Sequence, residues 1–109
     1  MSVLITLKVK GDTEIFRKIL VERNDEIAAV AARSQSAGAI HHRFGVGDGF
    51  VLVVDEWGTP EQFEAFFGEE SLQALMGDMG ADMSVPPEIT VTEAISSPES
   101  ELIRRADQF

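Results

Sequence analysis

The tripeptide Gly47-Asp48-Gly49 stands between two runs, Ala39–Val46 and Phe50–Trp57, that are rich in β-branched and aromatic residues. Asp-Gly is the strongest short hairpin signal, because tight two-residue turns need backbone angles that these residue types tolerate. The two runs are therefore expected to pair as antiparallel strands. With Asp48 and Gly49 as the turn, Gly47 faces Phe50, Val46 faces Val51, Phe44 faces Val53, His42 faces Asp55 and Ile40 faces Trp57. A three- or four-residue loop would shift these pairs. Alternation then puts Ile40, His42, Phe44, Val46, Val51, Val53, Asp55 and Trp57 on one face. His41, Arg43, Gly45, Phe50, Leu52, Val54 and Glu56 take the other.

The flanking segments supply the remaining elements. Val3–Lys10 alternates as a first strand and stops at Gly11-Asp12, where Asp12 or Thr13 can cap a helix. Phe16, Leu20, Ile27 and Ala31, widened by Ile15, Ile19 and Val30, make one apolar face of a long helix over about residues 13–34. Asn24 interrupts that stripe, and Gly38 is placed to end the helix in a positive-φ cap. After the hairpin, Thr59 is an N-cap, Pro60 takes the first helical position and Gln62 completes a capping box. A short helix over 60–67 breaks near Gly68. A second piece over 69–80 carries the stripe Leu72, Leu75, Met76 and Met79. Pro86-Pro87 forbids helix, and residues 88–95 alternate as a last strand.

The order strand, helix, strand, strand, helix, strand implies an α+β sandwich, an antiparallel four-stranded sheet with helices on one face. The expected division is one domain over 1–96 and a C-terminal tail over 97–109. The tail has helical character around Leu102, Ile103 and Phe109, and it could lie on a partner chain. Because Phe50, Leu52 and Val54 oppose the side bearing Phe44, Val51 and Val53, both faces of the hairpin are apolar. A sheet covered on one face only would expose a greasy patch, and a second copy is the simplest cover. At roughly 25 cal/mol per Å², sealing about 500 Å² contributes on the order of 12 kcal/mol before association entropy is subtracted.

Composition narrows the partners. The 109 residues carry 19 acidic against 9 basic side chains, a formal charge of -10, so nucleic acid is a poor partner and an anionic membrane surface is no better. No apolar run approaches the roughly 20 residues that span a bilayer, and the alternating N-terminus does not read as a signal peptide. A cytoplasmic location is expected. The absence of cysteine excludes disulfides, thiolate metal sites and cysteine nucleophiles.

The strand end Val51-Leu52-Val53-Val54-Asp55-Glu56-Trp57, followed by Thr59-Pro60-Glu61-Gln62-Phe63 and Phe66-Phe67, resembles the dimeric α/β-barrel proteins of the antibiotic biosynthesis monooxygenase type. The resemblance spans nearly the whole domain. It implies a ferredoxin-like βαββαβ fold, a homodimer whose sheets close into a barrel, and a pocket in each subunit between sheet and helices. Members of known chemistry include cofactor-independent oxygenases of polycyclic aromatic substrates and haem-degrading oxygenases. The haem degraders use a first-strand asparagine, a tryptophan at the third strand's end and a histidine on the second helix. Here only Trp57 matches, and Leu75-Met76 occupies the helix position, so haem degradation is not expected. The quinone-forming members pair the tryptophan with an asparagine, a tyrosine and an arginine, and this chain has no tyrosine.

His42 and Asp55, cross-strand neighbours beside Trp57, form a candidate catalytic pair, an imidazole oriented by a carboxylate and suited to take a proton from an acidic phenol or anthrone. The alternative is a hydrogen-bonded pair that merely satisfies two polar groups in a core. Trp57, Phe44, Asn24 and Met76 are the candidate substrate-binding residues. The helix N-terminus at Thr59, beside the indole, is a possible wall for an anionic or planar ligand. His41 and His42 point to opposite faces and cannot share a metal; no metal or cofactor site is expected. His41, Arg43 and Glu56 would group on the barrel side. Gly45 to Gly49 lies in a hairpin rather than between strand and helix, so it is not a phosphate loop. Two functions stand: a small cofactor-independent monooxygenase acting on an aromatic metabolite, or a non-catalytic protein of the same fold that binds a small apolar ligand or serves as an accessory subunit.

Overall fold

A computed structural model describes residues 1–98 of the chain. The expected helical character around Leu102, Ile103 and Phe109 lies outside the described residues. The elements are β1 (Val3–Lys10), α1 (Thr13–Glu22), α2 (Asn24–Ala37), β2 (Ala39–Val46), β3 (Phe50–Trp57), α3 (Pro60–Phe67), α4 (Glu70–Asp78) and β4 (Glu88–Glu93). The strands form one antiparallel sheet in the order β2-β3-β1-β4. This is the expected α+β ferredoxin-like βαββαβ arrangement, with each helical connection divided into two helices.

The helices cover one face of the sheet over β1 and the end of β3. Ile5, Leu7 and Trp57 are buried there against Phe63 and Phe66 of α3, with Val3, Val9, Val30 and Val53 packed around them. On the other face Leu4 and Val54 are exposed, Phe50 and Leu52 are half-buried, and Thr6 is mixed among them. The Lys8 ammonium sits 4.5 Å from the centre of the Phe50 ring and covers part of this surface.

The hairpin follows the expected register over most of its length. Val46 pairs with Val51, Phe44 with Val53 and His42 with Asp55, and the Gly47 amide donates to the Phe50 carbonyl at 2.9 Å. Gly49 takes φ 77 in the turn. At the far end the expectation fails: the register shifts between Ala39 and His41, so Ala39, not Ile40, pairs with Trp57. Ile40 is 51% exposed. A bulge of one residue produces this, and it is anchored where Gly38, at φ 125, accepts the Gly58 amide at 3.0 Å. The Gln62 side chain fills the space beside both glycines, and a Cβ on either would collide with it.

The first helix also departs from expectation. Rather than running unbroken over 13–34, it breaks at Arg23, whose φ of -114 and ψ of 34 leave the helical region. The break is held by charge. The Arg23 Nε and Nη2 donate to the Glu26 carboxylate at 2.6 and 2.7 Å, and Nη1 donates to Asp78 at the end of α4 at 2.9 Å. Asn24, a weak helix former, opens α2 there. At the other end α2 continues to Ala37, and Gly38 caps it as expected.

Backbone contacts fasten the loop after α4 to the end of β1. Asp12 donates to the Gly80 carbonyl at 2.9 Å, Asp82 to the Lys10 carbonyl at 2.8 Å, and Gly11 forms a bridge with Ala81. Gly11 is needed for this approach, since a Cβ there would meet the Gly80 oxygen.

The Arg23 cluster sets an acid response. Hydrogen bonding to Arg23 holds the Glu26 carboxyl below its ordinary value of 4.5, while Glu26 and then Asp78 push the guanidinium up. A carboxyl depressed in the folded state contributes stability above its unfolded pKa and loses it as pH falls through the folded value. The stability gap between the protein and its Glu26→Gln variant is therefore expected to be present at about pH 6 and to close towards about pH 3. Chemical denaturation of both at each pH measures it; comparing the two cancels the common effect of net charge.

Candidate functional site

Pairing of β2 with β3 brings His42, Phe44, Asp55 and Trp57 to the helix-covered side of the sheet. Between that side and the helices lies a cavity of about 210 Å³. His42, Phe44, Asp55, Trp57 and Met76 all line it, so the structure brings together five of the six residues singled out in the sequence. Asn24 does not join them. It is exposed at the first turn of α2 and lies outside the lining, because the break at Arg23 ends the continuous helix face on which its placement depended.

Asp55 is the polar centre of the wall. It is 7% exposed, the one buried charged side chain among the described residues. Both its oxygens are engaged: His42 Nδ1 lies 2.6 Å from Oδ1, and the Trp57 Nε1–H donates to Oδ2 at 3.0 Å. A buried carboxylate is tolerated only when donors replace its lost water, and these two do so. An ionised carboxylate only accepts hydrogen bonds, so Nδ1 of His42 carries the hydrogen of that contact. Nε2 is then the ring's remaining acceptor.

Aromatic packing fixes the two donors. The His42 ring meets Phe44 edge-to-face at 4.4 Å, and Phe44 meets Phe16 of α1 the same way at 5.0 Å. Trp57, 2% exposed, lies between Phe63 at 5.8 Å and Phe66 at 5.6 Å, and Phe63 stacks on Phe67. The indole is therefore both a core pillar and a hydrogen-bond donor. The His42 side chain remains 42% exposed, so the pair is reachable from solvent on the imidazole side.

At the helix N-terminus beside the indole, the Gln62 amide donates to Thr59 Oγ1 at 3.2 Å and the Thr59 amide donates to Gln62 Oε1 at 3.0 Å, so the expected capping box is formed and occupies both of these donors. Of the expected group His41, Arg43 and Glu56 on the opposite face, His41 and Glu56 are neighbours, with His41 Nε2 3.9 Å from Glu56 and the Ser2 hydroxyl donating to Glu56 at 2.6 Å. No group of three potential metal ligands is found among the described residues.

Several lining residues were not singled out as site residues in the sequence. Phe16, Ile27, Val30, Leu72 and Met79 belong to the helices' apolar stripes, which were visible as core signals, and Phe63 and Phe66 belong to the segment that carries the family resemblance. Ala39 was hidden by the bulge that puts it opposite Trp57.

The sequence matches no protein-family model and no curated protein. Solved structures are similar in fold. One, from Caulobacter crescentus and provisionally named an antibiotic biosynthesis monooxygenase, is 16% identical, covers 87% of this chain and 91% of its own, and superposes with a TM-score of 0.60. Another is SnoaB, a cofactor-independent oxygenase from Streptomyces nogalater, at 12% identity, 89% and 96% coverage and a TM-score of 0.54. A third is a dimeric ferredoxin-like protein from an uncultured marine organism, at 16% identity, 88% and 93% coverage and a TM-score of 0.54. The chain thus has the ferredoxin-like fold found in proteins of the antibiotic biosynthesis monooxygenase type.

Removing the carboxylate leaves the Trp57 N–H buried without an acceptor, so Asp55→Ala is expected to cost about 1–3 kcal/mol in chemical denaturation. The single tryptophan reports the same event: buried in the folded protein, its emission is expected to be blue and shielded from iodide, and to become more quenchable in the variant. A silent substitution by both measures would contradict the hydrogen-bond assignment.

Proposed function

We propose that this chain is a small cofactor-independent monooxygenase acting on an aromatic metabolite. The observation that carries the reading is the hydrogen-bonded series His42, Asp55, Trp57 on the wall of a largely apolar cavity. In this reading His42 Nε2 is the base. It takes a proton from an acidic ring carbon or phenol of the substrate, and Asp55 steadies the imidazolium that forms. The resulting carbanion reduces O2 and binds it as a hydroperoxide. Loss of water then leaves a carbonyl, so one oxygen atom enters the product and the other departs as water. Phe44 and Met76 hold the flat substrate, and Trp57 keeps the Asp55 carboxylate in place. That SnoaB is a cofactor-independent oxygenase of the same fold supports the reaction class.

The domain over 1–96 carries this chemistry, and the cysteine-free composition suits a reducing cytoplasm. The exposed side of the sheet, with Leu4, Leu52 and Val54, is the surface through which two copies associate as a homodimer. A dimeric protein of the same fold supports this arrangement.

A second reading, a non-catalytic binder or accessory subunit, is favoured by one observation. The chain has no tyrosine, and the Trp57 N–H is already committed to Asp55, so neither supplies a further donor to an oxygenated intermediate.

Titrating Trp57 fluorescence with hydroxyanthracenes and anthrones, then following oxygen uptake on each binder, separates the two. The enzyme reading expects uptake that falls roughly 10²–10⁴-fold in both His42→Ala and Asp55→Asn, with binding retained. Quenching without uptake supports the binder. In sedimentation, the protein is expected to run as a dimer that Val54→Lys converts to monomer; an unchanged dimer places the interface elsewhere.

A further inference from the structure

The cavity beside His42 can accept a hydrogen bond but, among the described residues, has no side-chain hydrogen left to give. The polar side chains among its lining residues are those of Lys10, Asp12, Ser34, His42, Asp55 and Trp57. Three of their hydrogens are already spent: Ser34 Oγ donates to the Ala31 carbonyl at 2.7 Å, Trp57 Nε1 to Asp55 Oδ2, and His42 Nδ1 to Asp55 Oδ1. Asp12 and Asp55, as carboxylates, only accept. Asp12 is also exposed, and its Oδ1 takes the Glu14 and Ile15 amides as the cap of α1. Lys10 is exposed and shares the alternation of Lys8, on the open face of the sheet, so its side chain is directed away from the cavity. The backbone amides where the loop after α4 meets β1 are paired as well, Gly11 to the Gly49 carbonyl, Asp12 to Gly80 and Ala81 to Met76. Amides in helix interiors and in the sheet ladder are used by their own elements.

What remains for a ligand is His42 Nε2, an acceptor in the neutral ring, beside a wall that includes Phe16, Val30, Phe66 and Leu72. A ligand hydroxyl directed at Nε2 is paired. A carbonyl oxygen enclosed in the same place loses its water and finds no donor in exchange. An anion fares worse, because two of the lining side chains are carboxylates and no cation is directed inward to offset them. Size sets a further condition. The cavity's 210 Å³ exceeds the about 150 Å³ of an apolar protein cavity that holds benzene, so two fused rings suit it.

We propose that this cavity takes neutral, fused-ring aromatic alcohols, held as donors to His42 Nε2, and discriminates against the corresponding ketones and quinones. The inference rests on the reading of the cavity as a ligand site and deepens it. Monooxygenation turns the ring into a carbonyl compound, and once the proton taken by His42 has left with the water, Nε2 is again only an acceptor. The product carbonyl then has no donor to hold it, so the same arrangement that selects the alcohol favours release of the product.

Isothermal titration calorimetry under argon at about pH 8, where a free imidazole is neutral, compares 1-naphthol with 1-methoxynaphthalene and 1-tetralone, which are of similar size. 1-Naphthol is expected to bind roughly tenfold tighter than either. Equal or tighter binding of the ketone overturns the proposal, and so does failure of all three to bind. The chain has two histidines, so protein labelled with nitrogen-15 at histidine reports the contact directly. 1-Naphthol is expected to shift the His42 Nε2 resonance and to leave His41, on the opposite face, unmoved. Bound naphthol with an unmoved His42 also contradicts the assignment. Oxygen uptake, followed separately in air, keeps the two readings apart. The expected order of binding without uptake supports the alcohol site and removes the monooxygenase reading, whereas uptake together with a ketone bound as tightly as the alcohol keeps that reading and overturns this one.

Discussion

A buried carboxylate organises the centre of this molecule. Asp55 sits where the sheet is covered by helices and water is largely excluded, a position hostile to a charge left without other partners. It persists because two aromatic side chains present N–H groups to it, His42 from the neighbouring strand and Trp57 from two residues along its own. Each donor is held by other rings, so the carboxylate, the imidazole and the core are one packed unit. Trp57 joins them most directly, since it contacts the Phe63 and Phe66 rings of α3 while hydrogen-bonding to Asp55.

The geometry around that carboxylate depends on a backbone irregularity. The bulge at Ile40 lets β2 keep His42 opposite Asp55 while placing the small Ala39, rather than a larger isoleucine, opposite the indole. Gly38, Gly58 and Gln62 secure the same corner, where the end of α2, the end of β3 and the start of α3 converge. At the other end of the sheet, Gly11 and Gly80 allow the loop after α4 to close against β1. The cavity runs between these two fastened ends.

The legibility of the sequence varied with the range of the forces involved. The hairpin was readable because Asp-Gly and the alternating runs act between near neighbours, and they sufficed to pair His42 with Asp55. The capping box at Thr59 and Gln62 and the glycine end of α2 were readable for the same reason. The break at Arg23 was not, because part of what holds it is Asp78, 55 residues away. Asn24, next to that break, is exposed and outside the cavity lining. The places of Met76 and Phe44 on the cavity wall were legible because apolar periodicity and strand alternation report which way a side chain faces. Ala39 was missed because alternation assumes an uninterrupted register.

Local sequence therefore determined the strands, the order of strand and helical segments, the antiparallel hairpin and the face on which His42, Asp55 and Trp57 lie together. Those follow from steric preference, capping and the two periodicities, none of which needs a distant partner. Only the tertiary structure decided that the Asp55 carboxylate is shared between an imidazole and an indole, that the register slips at Ile40, and that the helix bends at Arg23. Each of these is a contest between local preference and a contact brought in by folding, and such contests are settled by packing and by the cost of burying charge.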